Sequence, residues 1–307
     1  MAGILDSVNQ RTQLVGQNRL ELLLFKLPGK QRFGINVFKV REVLQCPPLT
    51  SIPKSNSLIR GVAHIRGQTI SVIDLSLAMG GRKIEDVTNS FIIIAEYNRT
   101  VQGFLVASVE RIININWEAI MPPPEGTGKA SYLTAVTEVD KELIEILDVE
   151  KILNEISPAN AEVSDEFANN VKVENPKGKI IFIADDSSVA RSQVKKALSS
   201  LGLNIEVAKD GREALIKLKE IASETGDVTD RVAVLVSDIE MPEMDGYTLT
   251  AEIKSTPELA KLHVILHTSL SGVFNQAMVQ KVGADDFIAK FHPDELATSV
   301  QKWMETD

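Results

Sequence analysis

One cysteine, Cys46, stands in a chain of 307 residues, which excludes an internal disulfide. It precedes Pro47-Pro48 with no paired histidine and reads as a small packed or loop residue rather than a nucleophile. The four histidines, His64, His263, His267 and His292, show no spacing with cysteine or carboxylates that would suggest zinc. No apolar run reaches the roughly 18 residues of a membrane span, and the N-terminus MAGILDSVNQRTQ has no basic region followed by an apolar stretch. A cytoplasmic protein is therefore expected. Positive charge is scarce too: 33 Lys and Arg face 42 Asp and Glu, a net charge of −9. Residues 1–160 hold 17 of each sign, so the acidic excess lies entirely beyond them. A neutral first half and an acidic second half offer no phosphate-binding stripe, which argues against direct nucleic-acid binding.

What is present fits two folded domains. The length is about twice that of a typical domain, and a hydrophobic content of 44% is ordinary for folded soluble protein. The most informative stretch is VAVLVSDIEMPEMDG, residues 232–246. It is an apolar run of strand length that stops on Ser237-Asp238 and enters a turn punctuated by proline and glycine. Parallel strands are covered on both faces and read as near-continuous apolar runs, and ligands gather at their carboxyl ends. Three more runs share this design. Lys179–Ala184 ends on Asp185-Asp186, with Ser187-Ser188 placed to cap a helix. His263–His267 ends on Thr268-Ser269, and Phe287–Ala289 ends on Lys290.

If these strands are parallel neighbours, their common edge collects three carboxylates, two hydroxyls and one ammonium. Crowded carboxylates repel unless a cation neutralises them. Hard oxygen ligands suit Mg²⁺, which keeps several waters and shares a position with a phosphate oxygen. An aspartate held there is a nucleophile toward a phosphoryl group, and the product would be an aspartyl phosphate. The alternation of strand and helix around these runs, with helices expected over 188–201, 212–222, 247–255, 274–282 and 293–304, predicts a parallel five-stranded α/β sheet of flavodoxin-like order.

The ordered landmarks Asp185-Asp186, Asp238 with Met241-Pro242 and Asp245-Gly246, Thr268-Ser269 and Lys290 resemble the receiver domain of two-component response regulators. The resemblance implies a flavodoxin-like (βα)5 receiver over 179–306, with Asp238 as phosphoacceptor. It implies that Asp186, Asp238 and the backbone carbonyl of Glu240 bind Mg²⁺ directly and that Asp185 acts through water. Thr268 would be the switch hydroxyl and Lys290 the phosphate clamp. Phe287 fills the aromatic switch position and has no hydroxyl, so its rotamer change would be packing alone. Where receivers usually carry a proline after the lysine, Phe291 stands here. The loop beyond Lys290 is therefore expected to be shaped differently and Lys290 to be aimed less well.

The first half reads otherwise. An amphipathic helical segment is expected near the N-terminus, within 1–18 and reaching about residue 20. Then come 22–27 and 32–37 as a hairpin about Pro28-Gly29-Lys30, a helical turn over 38–44, and strands over 61–65, 69–75, 90–96, 102–109, 111–116 and 141–147, closed by a helix over 148–156. Many short strands with Gly and Pro turns predict an all-β barrel-type domain without a catalytic constellation. The stretches ELLLFKL, FGINVFKVREVLQ, IPKSNSLIRGVAHIRGQTISVIDL, FIIIAEYN, GFLVASVERIININ and LIEILDVEKIL resemble the CheW-like coupling domain of bacterial chemotaxis over about 19–157. That resemblance implies a double β-barrel of two five-stranded halves that binds a histidine kinase and a chemoreceptor's cytoplasmic tip. Val40, Glu42 and Arg66 would be its partner-contacting residues. Residues 158–178, polar, acidic and broken by proline and asparagine, read as an interdomain linker.

Together the two resemblances imply a multidomain, non-enzymatic signalling adaptor. It would couple membrane-bound chemoreceptors to the kinase CheA, tuned by phosphorylation of Asp238 with Mg²⁺ as cofactor, for adaptation or as a phosphate sink. A Mg²⁺-dependent aspartyl-phosphate hydrolase is the alternative. Such enzymes need an aspartate two residues after the nucleophile, where this chain has Glu240, and a cap domain is not evident.

Overall fold

The computed structural model describes residues 19–97, 100–123, 132–156, 163–164, 178–199, 202–268, 279–290 and 292–304. The N-terminal helical segment, Ser269, Phe291 and most of the linker lie outside these residues. The chain divides into two compact units, one of them Arg19–Ala159 and the other holding the chain from Asn160 onward. Among the described residues, no helix is long and apolar enough to cross a membrane.

The first unit contains β1 (Arg19–Lys26), β2 (Arg32–Asn36), β3 (Val40–Gln45), β4 (Ile59–Ile65), β5 (Gln68–Asp74), the short α1 (Leu75–Ala78), β6 (Phe91–Tyr97), β7 (Thr100–Val106), β8 (Ser108–Asn116), β9 (Ile120–Met121), β10 (Leu133–Val139), β11 (Glu142–Leu147) and α2 (Val149–Ile156). They form two sheets, ordered β8-β1-β2-β11-β10-β9 and β3-β6-β7-β5-β4. Both curl closed. In the second sheet β3 and β4 are opposite edges, yet Thr50, just past β3, bridges Val62 of β4. The Arg66 guanidinium, on the β4–β5 turn, also reaches Glu42 of β3 with bonds of 2.8 and 2.6 Å. In the first sheet the edge strands β8 and β9 are joined by only the 3-10 turn Trp117–Ala119, which brings the end of β8 to the start of β9. The fold is the expected double barrel, with β9 as a sixth strand in one half. Leu20, Leu22, Leu24, Ile144 and Ile146 fill one barrel, and Ile70, Val72, Ile92, Ile94 and Leu105 the other.

Two local expectations are corrected, and one strand goes unforeseen. Residues 38–44 are not a helical turn. A 3-10 turn over Val37–Lys39 leads into β3, because Val40, Val43 and Leu44 pair with β6 as a pleated edge. The strand expected to reach Leu75 stops at Asp74, whose carboxylate accepts the Leu77 N–H and caps α1. Strand β10 was missed altogether. Its Thr137 is fully buried, with the hydroxyl bonded to the Ala119 carbonyl at 2.9 Å, so a core position reads as polar.

The second unit contains β12 (Ile180–Ala184), α3 (Ser188–Ser199), β13 (Asn204–Ala208), α4 (Gly211–Thr225), β14 (Val232–Ser237), α5 (Gly246–Ser255), β15 (His263–Thr268), β16 (Asp286–Ala289) and α6 (Pro293–Met304). Of the helix expected over 274–282, residues 279–282 are described and are helical. The strands are all parallel in the order β13-β12-β14-β15-β16, the flavodoxin-like order expected. Apolar side chains cover both faces: Phe182, Leu235, Val264 and Leu266 on one, Ile181, Val234, Ile265 and Ile288 on the other. This two-sided burial is why β12, β14 and β15 read as unbroken apolar runs.

Candidate phosphoacceptor site

Parallel strands that end at a common level carry their next residues to one edge. Ala184 pairs with Ser237, Ser237 with Leu266, and Thr268 with Ala289, so Asp185, Asp238, Thr268 and Lys290 emerge together. The Asp238 N–H donates to the Ala184 carbonyl at 2.7 Å and the Lys290 N–H to the Thr268 carbonyl at 2.7 Å, extending the ladders one step past the strands. Asp185, Asp238, Thr268 and Lys290 are all buried.

The electrostatics of the edge centre on Lys290. Its ammonium lies 2.7 Å from Asp185 Oδ2 and 2.9 Å from Asp238 Oδ2. One buried cation shared by two buried carboxylates is the compensation that low dielectric demands. The aim expected to suffer from Phe291 is thus directed at both acids. The remaining oxygens are also held: Asp185 Oδ1 accepts the Ser187 N–H at 2.9 Å, and Asp238 Oδ1 accepts the Ile239 N–H at 2.8 Å. Asp186 is half-buried, and one carboxylate oxygen each from Asp185, Asp186 and Asp238 falls within 4.8 Å of the others. Hard oxygens that close, with net charge left over after Lys290, fit a divalent cation of the Mg²⁺ class.

Arg191, which the sequence pattern did not single out, and Gly246 of the Asp-Gly pair shape this edge. Arg191, in the first turns of α3, donates to the Asp185 carbonyl at 2.6 Å and pins the loop that carries both acids. Gly246 begins α5 against the acceptor. A Cβ there would collide with the Asp238 carbonyl, while its own N–H bonds Ile239 O at 2.8 Å. Glycine is needed for this close approach. Asp245 caps α5 through the Thr248 N–H at 2.8 Å, the physical content of the Asp-Gly pair seen in the sequence.

The other singled-out residues are placed as follows. Glu240 sits two residues past Asp238 in the following bend, and its carboxylate does not join the three-acid cluster. Together with Asp245 it adds to burial, the main cause, in pushing the Tyr247 phenol up to about 12. Phe287 packs half-buried against the core around Leu266. His267 is fully buried, and burial first, then Lys290 and His292, hold it well below the ordinary imidazole range and so neutral. In the first unit, Arg66 and Glu42 form the bidentate pair described above. The Arg66 bond holds the Glu42 carboxyl below its usual range. Val40 lies on the same strand, half-buried and opposite Ala95. Arg66 and Gly67 both have positive φ, 48° and 80°, the mark of a two-residue hairpin turn that presents the Arg66 side chain outward.

Comparison with known proteins divides the chain as the structure does. The CheW-like domain model matches residues 21–157, and the response regulator receiver domain model matches residues 181–301. Chemotaxis protein CheV3 of Helicobacter pylori is 32% identical over 302 residues, covering 93% of this chain and 94% of the relative. Chemotaxis protein CheV1 of the same organism is 28% identical over 326 residues, with 99% of each chain covered. Among solved structures, the scaffolding protein TtCheW from Thermoanaerobacter tengcongensis matches 46% of this chain and 95% of its own, at 28% identity and a TM-score of 0.42.

Proposed function

The chain belongs to the CheV family of chemotaxis proteins, a CheW-like domain and a response regulator receiver in one chain, and from that premise we propose that it is a coupling adaptor switched by phosphorylation of Asp238. The CheW-like unit joins chemoreceptor tips to the histidine kinase CheA, at receptor arrays on the cytoplasmic face of the membrane, through the surface around Val40, Glu42 and Arg66. The receiver takes a phosphoryl group from the kinase's phosphohistidine and tunes that link, in adaptation or as a phosphate sink.

The observation that carries this reading is the buried ammonium of Lys290 shared between Asp185 and Asp238 beside the half-buried Asp186. An oxygen of Asp238 attacks phosphorus in line, the P–N bond to the donor imidazole breaks, and the imidazole leaves with a proton from solvent. The charge on the equatorial oxygens needs cations. Lys290 supplies one by moving its ammonium from Asp185 to a phosphoryl oxygen. Asp186, Asp238 and the Glu240 carbonyl would hold Mg²⁺, with Asp185 acting through water, and the ion supplies further neutralisation of that charge. Thr268, buried at the end of β15, offers its hydroxyl to the phosphoryl group, and Phe287 repacks around the shifted threonine. Arg191 and Gly246 fix the two loops that bear the acids.

The test incubates the full chain with phosphorylated CheA and Mg²⁺ beside Asp238→Ala. Stable label on the wild type, none on the variant, and no turnover of a generic phosphate monoester are expected. Steady hydrolysis of such a monoester would favour a hydrolase and contradict the adaptor reading.

A further inference from the structure

The stretch from Pro158 to Gly178 has the composition of a free spacer, yet one of its residues is bonded to the receiver and the residue before it is buried. The Ser164 N–H donates to Asp294 Oδ1 at 2.8 Å, across 130 positions of sequence, and Val163 beside it is only 7% exposed. A spacer residue held at one point has given up backbone freedom, so the contact must offset that cost. Its components suit the task. Asp294 lies in the first turn of α6, where acidic side chains suit the positive end of the helix dipole, and a carboxylate accepting a backbone N–H makes a strong charge-assisted bond. Burial of the Val163 side chain adds apolar area.

The place of this contact gives it meaning. Asp294 follows Lys290 by four residues, and α6 begins there with regular helical bonding: the Leu296 N–H bonds the His292 carbonyl at 2.9 Å, and the Thr298 hydroxyl bonds the Asp294 carbonyl at 2.7 Å. On the other side of the same short segment, the Lys290 backbone is tied to Thr268 and its ammonium to Asp185 and Asp238. A phosphoryl group on Asp238 draws that ammonium off Asp185 and adds about 1.5 to 2 negative charges. Both changes act against a carboxylate that must stay within hydrogen-bond distance of an amide.

We propose that the receiver carries a docking site for the chain's own linker, formed by the Asp294 carboxylate that holds the Ser164 N–H beside the buried Val163, and that phosphorylation of Asp238 releases the linker from it. The release step rests on the receiver reading above; the docking site does not. The strap leading to the receiver is then fastened at a residue four positions past the phosphate clamp and loosened by the group the clamp binds.

Backbone amide exchange read by NMR on the full chain tests both parts, with beryllofluoride plus Mg²⁺ as the phosphoryl mimic. Without the mimic, the Ser164 amide of the wild type exchanges slowly. Asp294→Ala speeds it by about tenfold, the worth of one hydrogen bond, while Asp294→Asn, which keeps an acceptor oxygen, retains most of the protection. Core amides of Ile181 and Val234 stay protected in all three chains, separating loss of the dock from loss of the fold. With the mimic, the wild-type Ser164 amide speeds up toward the Asp294→Ala rate. Equal Ser164 exchange in the wild type and Asp294→Ala overturns the dock. Beryllofluoride bound at Asp238, seen as a fluorine resonance, with Ser164 protection unchanged or increased overturns the release. No fluorine adduct at all would count against the receiver reading and the release with it, and the Asp294→Ala comparison would still decide the dock.

Discussion

Lys290 is the counter-ion of a site that would otherwise gather three acids. Removing it should expose that dependence. In Lys290→Met, Asp185 and Asp238 face each other without a cation, and deleting one partner of a buried charge pair costs about 3–5 kcal/mol. Thermal unfolding of the variant is expected to fall well below wild type in the presence of a chelator and to recover substantially in millimolar Mg²⁺. A variant as stable as the wild type without metal would mean that the ammonium does not neutralise these acids. At high pH a different residue reports. Tyr247, raised to about 12 chiefly by burial, and Tyr132, raised to about 12 by its bond to Glu155, keep their protons beyond the ordinary phenol range. Because the folded values exceed the unfolded value of about 10, their contribution to stability is whole below about pH 10 and is lost as pH rises toward about 12. An ultraviolet titration should show these two phenols ionising late, and early ionisation of both would contradict the burial and bonding described. At this scale the sequence was readable where one residue type carries one chemistry. Asp185, Asp186, Asp238, Thr268 and Lys290 were named from strand ends alone. Arg191 was not, because its role is a bond to a backbone carbonyl, and nothing about an arginine in a helix announces which carbonyl it reaches.

Among the elements, the parallel sheet was legible and the barrels were only partly so. Strands buried on both faces write their burial directly into an apolar run, as in Val232–Val236. Barrel strands alternate, and the signal fails when a buried position is a satisfied threonine, as in β10, or when a short turn precedes an edge strand, as at Val37–Lys39. The barrel was expected but the contacts that close it were not legible, because they join residues far apart: Thr50 with Val62, and Glu42 with Arg66. Gly61 stands at this seam with φ +151°, and a Cβ there would lie 2.5 Å from the Thr50 carbonyl oxygen. Gly61→Ala is expected to destabilise the first unit by roughly 1–3 kcal/mol through backbone strain at a glycine-only conformation. Arg66→Ala, losing an exposed pair in high dielectric, should leave the unfolding curve in place while weakening binding to CheA or receptor. Chemical denaturation of both variants beside a pull-down checks the contrast. A large stability loss in Arg66→Ala with binding intact would assign the arginine to closure rather than to partners.

For the molecule as a whole, charge is divided between the units. The first 160 residues are balanced and the remainder carries the acidic excess, so the CheW-like half is neutral and the receiver half is already negative. Adding more negative charge matters only if it shifts an equilibrium that the coupling unit also feels, and couplings of this kind are typically about 1–3 kcal/mol. The most direct measurement is therefore kinase output: CheA activity in reconstituted receptor complexes containing the full chain or its Asp238→Ala variant, with and without a small-molecule phosphodonor and Mg²⁺. A regulated coupler predicts that both proteins support receptor control of the kinase, and that the donor changes this control by about fivefold or more in the wild type and not in the variant. The same response in both proteins, or none in either while label accumulates on Asp238, would contradict the claim that phosphorylation at this site tunes the coupling.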